Sequence, residues 1–174
     1  MTGPAFLEGE TVSLRTVEEE DLEFLRDGVN DPDVWRTTLM HGPKNVEQER
    51  EFFEEVVCEE GSVDLVVADG EDPVGMVGLN GLDEGNGVAE LGYWIAPDHW
   101  GNGYATDAAR TVTEYGFEQR RLHRVQARVV GFNEASACVL EKAGFEREGV
   151  HRGAAFVDGE HRDVVRYARL ATDE

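Results

Sequence analysis

The chain has 174 residues, enough for one compact domain with its own core and too few for two comfortable ones. Its 37 Asp and Glu against 16 Lys and Arg give a net charge of −21, which argues against a nucleic-acid partner, and 40% hydrophobic content with no apolar run of membrane length argues against a spanning segment. Only Lys44 and Lys142 are lysines, and the acids run from "VEEEDLE" to "ATDE" without forming a tail, a pattern that reads as a halophilic surface coat or, more plainly, as an ordinary acidic bacterial protein.

The opening "MTGPAFLEGE" has neither a basic region nor an apolar stretch of the export type, so the expected location is the cytoplasm. "TVSLRTV" alternates as a strand, and Thr16 with Glu19 has the spacing of a capping box that opens a helix in "EEEDLEFLRDGV". A break at Asn30 to Pro32 precedes a short helix or turn, and "NVEQEREFFEEVVCEE" is an amphipathic helix with Phe52, Phe53, Val56 and Val57 on one side. Residues 62–97 read as a three-stranded meander with turns at Gly70 to Pro73 and Asp83 to Gly87. A helix from about Gly103 to Glu118 follows, then strand "HRVQARVV", helix "NEASACVLEKAG", strand "FEREGVHRGAAF", a turn at Asp158-Gly159 and strand "DVVRYARL".

This order predicts a single α/β domain, a mixed and mostly antiparallel central sheet flanked by helices, with ligands gathering in the loop after "ELGYWIAP". Cys58 and Cys138 have no partner spacing, which predicts two small buried hydrophobes, no disulfide and no metal site. In "HWGNGYATDAAR", Gly101 and Gly103 stand where a strand gives way to a helix. A helix N-terminus offers unpaired N–H groups and the positive end of a dipole, and bare glycines admit a bulky anion to them. The other reading of the same loop is a plain strand-to-helix turn.

"WGNGYA" resembles motif A of the GNAT acyl-CoA N-acetyltransferases, Q/R-x-x-G-x-G/A, with Gly103 and Ala105 at its last two defining positions. "NEASACVLEKAGFEREG" is similar to the Asn-x-x-Ser helix and Glu-Lys-x-Gly-Phe turn of the branch containing the ribosomal-protein N-terminal alanine acetyltransferases, and "NDPDVWR" and "FVDGEHRDVVRYARL" fit that branch too. Trp100 stands where the motif has Gln or Arg, and Asn102 where Lys or Arg is common.

The resemblance implies transfer of acetyl from acetyl-CoA to a primary amine. The backbone N–H groups of Gly101, Asn102, Gly103, Ala105 and Thr106 would hold the pyrophosphate, and one near Ile95 would face the thioester oxygen. Glu90 is the candidate base, by burial in its strand, or else a cross-strand partner at a solvated strand start; His151 and His161 are weaker candidates. Ser136 is the candidate acid toward the departing sulfur, with Tyr93 or an ordered water next in line, or else a capping-turn serine. Asn133 caps its helix, binds the pantetheine arm, or does both. Lys142 and Gly144 read as a dipole complement and an αL cap. The acceptor is a peptide N-terminus or a small molecule (a polyamine, an amino acid or an aminoglycoside), with no nucleic acid or membrane partner and with a homodimer left open. A non-catalytic acyl-CoA sensor is the reading from another functional class.

Overall fold

The computed structural model describes residues 2–173. Strands β1 (Ala5–Glu8), β2 (Ser13–Thr16), β3 (Val63–Asp69), β4 (Asp72–Asp83), β5 (Val88–Ile95), β6 (Arg124–Val130), β7 (Glu146–Val157) and β8 (Glu160–Leu170) form one sheet in the order β1-β2-β3-β4-β5-β6-β8-β7. β5 and β6 are parallel, and the other neighbours are antiparallel. Helices α1 (Leu22–Asn30), α2 (Pro32–Trp35) and α3 (Val46–Phe52) lie between β2 and β3; α4 (Tyr104–Gln119) and α5 (Glu134–Lys142) flank β6 in sequence. The expected α/β architecture with its meander is therefore present. At the β7–β8 hairpin, Asp158 and Gly159 both have positive φ, 53° and 79°, the pair a tight two-residue turn requires.

The two sheet faces are covered separately. α4 contributes Ala108, Ala109 and Val112, and α5 Leu140, to a core that includes Leu65, Val77, Leu91, Ile95 and Val125. On the opposite face Leu25 of α1 and Val34 of α2 pack with Val66 and Trp94. A Cβ on Gly28 of α1 would come within 2.1 Å of the Trp94 ring, so the bare helix face admits the indole. Full burial of a Val or Leu side chain contributes about 1.5–3 kcal/mol, so either face by itself holds its helices firmly.

Several local expectations need correction. The capping box joins Glu18 and Asp21, opening a 3-10 turn before α1, while the Thr16 hydroxyl donates to Glu18 instead of capping. α3 is shorter than its apolar pattern suggested and widens into a π-turn over Phe53–Val57; Phe53 and Val57 reach the core, but Val56 is exposed. β1 was not anticipated. Both cysteines are exposed, not buried: Cys58 follows the π-turn and Cys138 lies on the cleft side of α5. Nor do the acids all coat the surface, because Asp21, Glu49 and Asp107 are buried.

The feature that positions the site is the β5–β6 pair. Its parallel register runs only from Val88↔Arg124 to Glu90↔Gln126, although β5 continues along β4 to Ile95 and β6 continues along β8 to Val130. Beyond Glu90 the two strands part, and the sheet opens at its centre.

Candidate active site

A cavity of about 760 Å³ passes through this opening, reaching the α4–α5 face on one side and the α2 segment on the other. Ala96 N–H donates to Val74 O at the end of the β4–β5 ladder. Because bonded residues alternate in an antiparallel pair, Gly92 and Trp94 turn their N–H groups to β4, while Tyr93 and Ile95 turn theirs to the gap β6 has left. The Ile95 amide thus stands where the sequence reading placed a donor. Its carbonyl is taken by the indole of Trp100, whose Nε1 donates at 2.7 Å across the loop.

The loop then delivers the N-terminus of α4. Gly101 and Gly103 have φ of 81° and 78°, and Gly103 is the N-cap. A Cβ at either would touch nothing, so the left-handed backbone, and not crowding, demands glycine here. Among the described residues no acceptor meets the N–H groups of Gly101, Asn102, Gly103, Tyr104, Ala105 or Thr106; the first helical bond is Asp107 N–H to Gly103 O. The Asn102 side chain turns back to donate to His99 O at 3.0 Å, leaving the cradle lined by backbone donors. Six open N–H groups at the positive end of a sixteen-residue helix suit an anion with several oxygens, such as a pyrophosphate.

Across the gap, Asn133 caps α5 through Oδ1, which accepts from Ser136 N–H at 3.2 Å. The Ser136 hydroxyl takes no part in the cap. It lies 2.5 Å from the Tyr93 hydroxyl, which projects from the α4–α5 face of β5. Burial pushes the Tyr93 phenol up to about 12, against the opposing hydrogen bond to Ser136, so it carries its proton at physiological pH. Glu90 is on the other sheet face, with Gly92 and Trp94, and its Oε1 accepts from Arg128 Nε at 2.7 Å across the strands as they separate. Glu90 and Ser136 are therefore brought to one cavity from opposite sides of the sheet. His151 and His161 lie on the outer hairpin and do not line it.

A sequence model described as Acetyltransferase (GNAT) domain matches residues 11–146. The chain belongs to the GNAT acetyltransferases. It is 30% identical over 166 residues to the uncharacterized N-acetyltransferase p20 of Bacillus licheniformis, covering 92% of this chain and 93% of that one. It is 43% identical over 96 residues to the putative ribosomal N-acetyltransferase YdaF of Bacillus subtilis, covering 55% and 52%. The solved spermidine N-acetyltransferase of Vibrio cholerae, in complex with CoA and spermine, superposes with a TM-score of 0.88 at 24% identity, over 94% of this chain and 97% of that one.

This GNAT protein is an acetyl-CoA-dependent N-acetyltransferase. When bound, acetyl-CoA supplies the thioester carbonyl at which an amine is acylated. No cluster of three His, Cys, Asp or Glu able to hold a metal is found among the described residues. No helix among them is long and apolar enough to cross a membrane. Among the cavity residues that were given a lesser role, a different one or none in the sequence reading, three bear on the chemistry. Tyr93 stood only in reserve behind Ser136 as a proton donor, and Lys142, read as a dipole complement, also lines the wall beside Cys138. Asp64 had a signal, an acid inside the apolar strand "SVDLVV", of the same kind that drew attention to Glu90.

Proposed function

We propose that this enzyme transfers the acetyl group of acetyl-CoA to the α-amine of a protein N-terminus of the ribosomal-protein type. The observation that carries the chemistry is the Tyr93–Ser136 hydroxyl pair at the open edge of β5, beside the gap-facing Ile95 amide and on the same side as the α4 cradle. The similarity to the YdaF protein of Bacillus subtilis supports the acceptor.

In this reading the pyrophosphate lies on the N–H groups of Gly101, Asn102, Gly103, Ala105 and Thr106, and the amide of Asn133, its oxygen spent on the cap, keeps its N–H donors for the pantetheine arm. The amine enters from the Glu90 face. Glu90 Oε1 is held by Arg128, and Oε2, which meets no donor among the described residues, receives the ammonium proton directly or through water. The free amine forms the N–C bond as the C–S bond breaks. Ile95 N–H donates to the carbonyl oxygen as charge gathers there. Ser136 gives its proton to the departing sulfur and takes one from Tyr93, which is reprotonated from water, while the second proton of the newly acylated nitrogen is released to water, leaving a neutral amide and a free thiol.

A second reading, acetylation of a polyamine, rests on the acceptor half of the cavity, where Asp33, Asp64 and Glu90 outnumber Arg128. One experiment separates the acceptors: release of free thiol from acetyl-CoA across a panel of N-terminal peptides and small amines. Turnover on peptides with little on polyamines supports the first reading, and the reverse pattern overturns it. Coenzyme binding without turnover on any member favours a sensor.

A further inference from the structure

Beside the reacting groups, the acceptor face of the sheet carries a bare patch. Asp64, Gly78 and Gly92 lie in register across β3, β4 and β5, with Asn80 opposite Glu90 one step along. Two facing glycines leave the sheet without side chains there, and neighbours fill the room unequally. A Cβ on Gly92 would meet the Asn80 amide at 3.0 Å, whereas one on Gly78 would meet Asp64 Oδ1 at 2.7 Å. The Asp64 carboxylate therefore leans over β4 toward the gap, along the cavity wall.

Its partners do not account for its charge. Oδ2 accepts from the Ser62 hydroxyl; Oδ1 has no donor, and no Lys, Arg or His pairs with the group among the described residues. Desolvation holds the carboxyl above its ordinary range, with the Ser62 hydrogen bond opposing. Most carboxylates of this chain are exposed, and Asp64 instead stays in a cavity where a charge is costly without a counter-ion.

We propose that Asp64 is a specificity-determining residue that binds a second positive charge on the acceptor, apart from the amine that is acylated. The inference rests on the acetyltransferase reading of the cavity and narrows the acceptor to dicationic amines. Strands are spaced about 4.8 Å apart, so a carboxylate above β4 stands roughly one to two spacings from an amine at the open edge of β5. That separation is too long for contact with the reacting nitrogen and suits the far end of a short alkyl chain. The same chemistry comes from a free diamine or from a basic side chain next to a peptide N-terminus.

The test is calorimetric titration into the coenzyme A complex, a readout independent of turnover. 1,4-Diaminobutane is compared with butylamine, and a short peptide with Lys in second place is compared with one carrying norleucine there. The wild-type protein prefers the dication in at least one pair, and Asp64→Asn lowers that preference by about tenfold or more, as loss of a charge-assisted bond does. Asp64→Asn relieves a desolvated charge and melts no lower than wild type, so the loss cannot come from unfolding. Ser62→Ala, which frees the carboxylate to swing, lowers the preference less, and Glu118→Gln on the outer face of α4 does not change it. Loss confined to the diamine pair identifies a free diamine as the source, and loss confined to the peptide pair a basic N-terminus. Absence of preference in both wild-type pairs, or preference that survives Asp64→Asn, overturns the proposal. Failure of the parent reading is seen separately, as absent acetyl-CoA turnover with every amine.

Discussion

Ser136 and Tyr93 share one hydrogen bond, and each substitution at that pair separates rate from stability. Because the α5 cap uses the Ser136 backbone N–H and not its hydroxyl, Ser136→Ala keeps the cap and loses a bond worth about 1 kcal/mol. The expected kinetic result is a kcat roughly 10²-fold lower near pH 7 with acetyl-CoA affinity nearly unchanged; wild-type kcat in a folded variant removes Ser136 from the proton path. Tyr93 adds a pH signature. Its folded pKa is raised from 10.0 to about 12, so folding opposes its ionisation: stability is complete below pH 10 and falls as pH climbs through 12. Tyr93→Phe should remove that share of the alkaline slope in denaturant titrations, and an unchanged slope would place the phenol in water. Gly103→Val tests the cradle. The valine meets no neighbour, so the fold bears only a left-handed backbone cost of about 1–2 kcal/mol, while the side chain obstructs the anion. Coenzyme affinity by calorimetry should fall by about tenfold or more.

At the scale of elements, one buried acid secures the helix that carries the cradle. Asp107, in the first turn of α4, accepts from the backbone N–H groups of Glu10, Thr11 and Val12 and from the Thr11 hydroxyl, tying the β1–β2 turn to the helix. Burial pushes its pKa up, but those donors outweigh it and hold the carboxyl below its ordinary 3.8. A depressed folded pKa means the contribution is present above the ordinary value and lost as pH falls through the folded one, so stability declines at the acid end. Asp107→Ala leaves three N–H groups without their acceptor and should cost about 2 kcal/mol or more, with a weaker acid slope than wild type. Such ties explain what was and was not legible in the sequence. Amphipathic periods and turn pairs gave the helices and the meander because local sterics set them. β1 has four mostly exposed residues and no pattern of its own; it is held by pairing with β2 and by the turn that Asp107 grips. Cys138 reads as a buried hydrophobe by composition, yet the gap exposes its face of α5. Glu90 and Asp64 look alike as acids in apolar strands, and only the third dimension gives Arg128 to one and leaves the other without a counter-ion.

For the whole molecule, charge and topology each have a measurable consequence. Ion pairs such as Arg26–Asp27 and Arg50–Glu19 are largely exposed and contribute at most about 1 kcal/mol each, so they do not offset the mutual repulsion behind a net charge of −21. Raising KCl from dilute buffer to about 1 M shortens the screening length to about 3 Å and should raise the melting temperature; a flat response would show that the acids are already spaced beyond mutual influence. The divided sheet has a subtler effect. Along β5, Gly92 and Trp94 give their amide protons to β4, and Tyr93 and Ile95 point theirs into the gap. In the ligand-free protein, then, one strand should hold two clocks: deuterium replaces the Tyr93 and Ile95 protons without any opening of the fold, while the alternating Gly92 and Trp94 protons wait for the sheet to come apart. Coenzyme laid along β5 as a surrogate neighbouring strand would slow the fast pair toward the slow one, so a period-two pattern that fades on titration would record, residue by residue, the sheet being completed by its substrate.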